Sequence, residues 1–104
     1  MANSIAEEAE FAELLAEAAY LSEAGDAPDW ARALRRARNE YLEDAEAGSF
    51  TVKSMFGGMG SFNDLVLVGG DTALRAENDR LEWIRNRLFE IIQNRHASGE
   101  TYPD

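Results

Sequence analysis

Apolar residues recur along this chain at helical spacing in three stretches, interrupted by one short run that has no helical period. Phe11, Leu14, Leu15, Ala18 and Leu21 share one face of a 3.6-residue wheel. Ser4-Ile5-Ala6-Glu7 has the form of a capping box and predicts the start of that helix at Ser4. Gly25 predicts its end. Asp26-Ala27-Pro28-Asp29 opens a second helix, where proline and acidic residues suit a first turn. Trp30, Leu34, Ala37, Tyr41 and Ala45 form its apolar stripe, Arg32, Arg35, Arg36, Glu40 and Glu43 face outward, and Gly48 ends it. So short a connector favours an antiparallel helical hairpin. Ser49 then caps a short third helix, Phe50 to about Phe56.

Leu65-Val66-Leu67-Val68 is too short for periodicity to assign. It reads as an extended buried segment, with a helical turn as the alternative. The longest helix begins at Asp71 or Thr72 and runs to about Ala97, with Leu74, Leu81, Ile84, Leu88, Ile91 and Ile92 as its seam. Ser98 to Asp104 reads as a flexible polar tail. No internal repeat is present. The expected fold is all-α: a small single-domain helical bundle over residues 1–104, made of a hairpin, a short third helix, a glycine-rich turn and a long closing helix.

Composition narrows the function classes. Apolar content of 45% and charged content of 29% are those of a globular chain. There is no run of apolar residues long enough to span a bilayer and no basic, greasy leader, so the expectation is a cytoplasmic protein without membrane contact. The absence of cysteine removes disulfides, thiolate catalysis and cysteine-ligated zinc. The formal net charge is −10. Up to Ala24 the chain carries Glu7, Glu8, Glu10, Glu13, Glu17 and Glu23 with no Lys or Arg, and Lys53 is the single lysine. Such a field repels phosphate backbones, which argues against direct nucleic-acid binding, and it attracts a protein with a basic surface. Solubility alone is the plainer account of the same acidity.

Candidate chemistry is sparse. Gly57, Gly58 and Gly60 with Ser61, Asn63 and Asp64 form a glycine-rich turn. The turn lacks the Lys-Ser/Thr pair of a Walker loop and the spacing of dinucleotide folds. It reads as a structural turn, with contact to a small anionic ligand as the alternative. Glu10, Glu13 and Glu17 fall at metal-site spacing on one helix, but the single histidine, His96, has no Glu three residues before it, so neither a metal nor another cofactor is expected. No Gly-x-Ser-x-Gly elbow is present and no catalytic residue is assigned. Trp83 projects almost opposite the seam of the last helix, among Arg80, Arg87 and Glu90. An outward aromatic among charges is a typical interface anchor, with Arg87 positioned to stack on it. A covering neighbour helix or the glycine turn is the alternative.

The stretch Phe56 to Leu67, FGGMGSFNDLVL, resembles the hallmark of an uncharacterised bacterial family of small proteins. In that family an acidic helical half leads into a turn of this type, followed by a closing segment rich in Leu, Arg and Glu. Asn78-Asp79-Arg80-Leu81 through Arg87-Leu88 has that character. The resemblance implies that the turn belongs to a shared fold, and it brings no activity with it. The expectation for function is a non-catalytic acidic binding module of the immunity or phage-inhibitor kind. Glu10, Glu13, Glu17, Trp83 and Arg87 are its partner-binding residues. A homo-oligomeric adaptor is the alternative.

Overall fold

A computed structural model describes residues 3–57 and 60–100, with side chains through Arg95. Helix α1 spans Ile5–Ala24 and α2 spans Pro28–Glu43, packed as the expected hairpin. Ser4 caps α1 by accepting from the Glu7 amide at 3.0 Å. The Glu7 carboxylate does not return to the cap. It accepts from the Asn3 and Asn94 side chains, at 3.2 and 3.0 Å, and so ties the start of α1 to the far end of the chain.

The end of α1 differs from expectation in its division of labour. Gly25 has an ordinary φ of −98°, and Asp26 takes the left-handed conformation at φ 68°. The Ala27 amide donates back to the Ser22 carbonyl at 2.8 Å, closing the turn. Gly25 is needed for a different reason: a Cβ there would sit 2.6 Å from the Leu67 Cβ.

Helix α3 spans Ala45–Lys53, earlier than the expected Phe50–Phe56, and its cap is Asp44. The Asp44 carboxylate accepts from the Glu46 and Ala47 amides at 3.1 and 3.2 Å, ending α2 and starting α3 in one residue. Gly48 therefore does not terminate α2. It lies inside α3, where a Cβ would overlap the Tyr41 backbone, so only glycine lets the two helices cross so closely. Ser49 is buried within α3 instead of capping it, and Ala45 belongs to α3.

After the glycine-rich turn, Phe62–Asp64 forms one 3-10 turn capped by Ser61. The run that follows is extended, as expected, and its end forms a two-residue strand, β1 (Val68–Gly69), paired antiparallel with β2 (Thr72–Ala73). Only one face of the run is buried: Leu67 is fully enclosed while Val66 is 58% exposed. The hairpin occupies Thr72 and Ala73, so the last helix, α4, starts at Arg75 and continues to Glu100. Ser98–Glu100 thus belong to α4, and residues 101–104 lie outside the described residues.

The core joins the predicted stripes. Phe11, Leu15 and Ala18 of α1, Leu34 of α2, Val52 of α3 and Leu81, Ile84 and Leu88 of α4 are all enclosed. Phe62 joins them from the turn, with Trp30 stacked on it at 5.3 Å between ring centroids. Among the described residues no helix is long and apolar enough to cross a membrane.

Candidate binding surfaces

Two surfaces flank α4. The first is its seam with α1. Arg87 donates to Glu10 through Nε and Nη2, both at 2.8 Å, and Arg80 donates to Glu17 through the same two atoms at 2.7 and 2.8 Å. These pairs set an antiparallel register that brings Glu13 level with Trp83 and Ile84. The hydrogen bond from Arg87 holds the Glu10 carboxyl below its usual range, and Arg80 does the same for Glu17. The paired guanidiniums shift upward in turn. Arg87 also reaches Glu90 at 3.1 Å.

The acidic stripe expected on α1 is therefore divided. Glu10 and Glu17 are satisfied within the molecule, and Glu13 stands exposed between them. Trp83 is 49% exposed on the outer side of this seam. The cation stacked on it is Arg80, 4.6 Å from the ring centroid, and not Arg87, which its two carboxylates hold elsewhere. Arg80 is itself clamped to Glu17, so the indole rests against a fixed group.

The second surface lies where α4 meets the glycine-rich turn. Gly57 and Gly60 have φ of 89° and 77°, with open space where a Cβ would stand, so their conformation and not crowding calls for glycine. Gly58 lies outside the described residues. Among the described residues, several of the turn's amides are spent locally. Gly60 donates to the Asp64 carboxylate at 2.7 Å, Asn63 to Ser61 Oγ at 3.3 Å, and Phe62 to the Met55 carbonyl at 2.8 Å. The Asp64 and Leu65 amides donate to Ser61 and Phe62 carbonyls. These five amides are engaged within the fold. Ser61 and Asp64 hold the turn closed.

Two side chains of α4, one face apart at i and i+7, fix the turn against the helix. Asn78 accepts from the Leu67 amide at 2.7 Å and donates to the Leu67 and Leu74 carbonyls at 2.9 and 2.8 Å. It pairs with Leu67 as a neighbouring strand would. Arg85 donates through Nη1 to the Phe62 and Leu65 carbonyls, both at 3.1 Å. Burial pushes its guanidinium down from the usual arginine value, against the opposing charges of Glu82 and Asp64. The sequence pattern did not single out either residue as a site. An Asn and an Arg seven apart, on the face beside the apolar seam, were the available signal. The side chain of His96 is outside the described set, and no group of three metal-ligating residues comes together among the described residues.

The fold and its surfaces define a small all-α domain in which a glycine-rich turn and a two-strand hairpin are clamped onto a long closing helix. A family model described as a domain of unknown function, DUF6966, matches residues 23–75, just over half of the chain, and the chain belongs to that family. The matched region contains α2, α3, the turn and the hairpin. No curated protein and no solved structure matches.

Proposed function

We propose that this chain is a non-catalytic protein-binding module whose partner carries a basic surface, and that it docks through the α1–α4 seam around Trp83. The observation that carries this reading is the half-exposed indole held under the Arg80 guanidinium, itself fixed by Glu17. A large aromatic that is exposed but immobilised loses little freedom on binding, which is what an interface anchor requires. Glu13, exposed beside it, and the net charge of −10 favour a positively charged partner and speed its approach. Glu10 and Glu17 contribute by fixing Arg87 and Arg80, so their role is to shape the surface more than to steer. Acidic inhibitors of basic enzymes, such as nucleases or defence complexes, are the kind of role that suits these features, in a cytoplasmic setting.

Trp83→Ala tests the reading. A partner retained by the tagged wild-type chain at low salt, released by added salt and lost from Trp83→Ala, supports it. Equal retention by both chains overturns the assignment of the docking face. If the solution mass exceeds the monomer and Trp83→Ala restores the monomer mass, the partner is a second copy and the homo-oligomer reading replaces this one.

A further inference from the structure

A groove runs between the turn and α4. Its smaller compartment, about 160 Å³, is lined by Phe56, Phe89, Asn63, Asn86 and Arg85. The larger, about 600 Å³, continues past Leu65, Val66 and Thr72 toward Arg75, with Asp79 and Glu82 also on its wall, so the carboxylate position belongs to the smaller compartment, which has no acidic lining residue. Asn63 and Arg85 line both, so they stand at the waist of the groove.

Arg85 differs from the other bridging arginines of α4, and resembles Arg38 of α2, which is half-buried and held by Nε alone on the Ala12 carbonyl. Arg80 and Arg87 each present the Nε/Nη2 edge to a carboxylate in a two-point bond. Arg95 uses Nε and Nη2 as well, on Asn3 and Glu8. Arg85 is held by Nη1 alone, and among the described residues its Nε and Nη2 have no hydrogen-bond partner and no carboxylate reaches ion-pair distance. Glu82 and Asp64 act on this half-buried cation from a distance, and neither forms an ion pair with it. Holding a guanidinium in a groove costs solvation, which a bidentate carboxylate would recover.

We propose that the Nε/Nη2 edge of Arg85 is a carboxylate-binding site, whose ligand carries its carboxylate beside an aromatic or branched apolar group. The two carbonyls that hold Nη1 fix the fork in position before the ligand arrives. Phe56 and Phe89 meet edge to face at 5.6 Å and wall the smaller compartment. A cavity of about 150 Å³ accommodates a benzene-sized ring. Asn63 and Asn86 supply amide groups at the rim. Such a ligand is either a small organic acid or the carboxyl terminus of a peptide. The larger compartment would take the residues that precede such a terminus. The site is separate from the Trp83 face and does not depend on it.

The test is a titration of the ¹⁵N-labelled full chain, following the Arg85 Nε–H signal and the amides of the turn. The probes are 3-phenylpropionate, its carboxamide, acetate, and a short peptide ending in phenylalanine with a free carboxyl terminus. The acid is expected to give a saturating shift centred on Arg85 and Asn63, with the carboxamide roughly ten-fold weaker. Arg85→Lys should lose the shift. Because that change also loosens the turn, Phe89→Ala is the second variant. It leaves both Arg85 clamps in place and should weaken phenylpropionate while sparing the weak response to acetate. A peptide that binds more tightly than phenylpropionate identifies a chain terminus as the ligand, and equal binding identifies a small acid. Equal responses to acid and carboxamide, or shifts spread over exposed Arg32 and Arg36, overturn the proposal. Trp83→Ala should leave the titration unchanged, so this site and the docking face fail or survive separately.

Discussion

Asn78 makes three hydrogen bonds to main-chain groups of Leu67 and Leu74, and no other side chain does as much to hold the extended run against α4. Asn78→Ala leaves the Leu67 amide without a partner and removes one of two donors from the Leu67 and Leu74 carbonyls, at a cost of about 1–3 kcal/mol. Asn78→Asp keeps the acceptor but sets a carboxylate against two carbonyls, and should be at least as damaging. Urea unfolding of the two variants measures both. Gly48 gives an opposite surprise. In an ordinary helix interior Gly→Ala stabilises by about 1 kcal/mol. Here the new methyl would meet the Tyr41 backbone, so Gly48→Ala should destabilise by about 1–3 kcal/mol, seen as a lower urea midpoint with an unchanged slope. Glycine at Gly48 reads as a helix stop in sequence. The identity of the crossing partner reverses that reading.

At the level of elements, α1 and α4 are joined by an apolar seam flanked by ion pairs on their shared outer edge. Glu10 and Glu17 have folded-state pKa values below the ordinary 4.5, with Arg87 and Arg80 as the largest causes. Below 4.5 the unfolded chain therefore binds protons that the folded chain still refuses, and stability falls as pH drops through the lowered values. The contribution is fully present above pH 4.5. The side chains are one quarter to nearly one half exposed, so solvent screening limits each pair to about 0.5–1 kcal/mol. A Glu10→Gln, Glu17→Gln double variant should be less stable than wild type near neutral pH. That gap should narrow as the pH falls below 4.5, as denaturant unfolding across the pH range would record. The amphipathic pattern was enough to find both helices and their apolar faces. It could not say that the carboxylates beside the α1 stripe meet arginines more than sixty residues away.

For the whole molecule, the all-α class, the hairpin, the closing helix and most of its core were legible in the sequence, though not Val52 or Phe62. Helical burial follows from a period that needs only local spacing, and Phe11, Leu34, Leu81 and Leu88 are enclosed as that period requires. The cap at Ser4 was equally local. The turn was recognisable as a shaped element because glycine at positive φ is a property of the residue itself. Tertiary structure alone decided that Gly25 and Gly48 serve close approach, since crowding depends on what arrives from elsewhere in the chain. It alone decided that the Gly60 amide closes onto Asp64 and that Asn78 and Arg85 of α4 clamp the turn. Which carboxylates are neutralised and which guanidinium keeps an open edge are likewise matters of distance between remote residues. A sequence states the charges, and only the fold brings them within reach of one another.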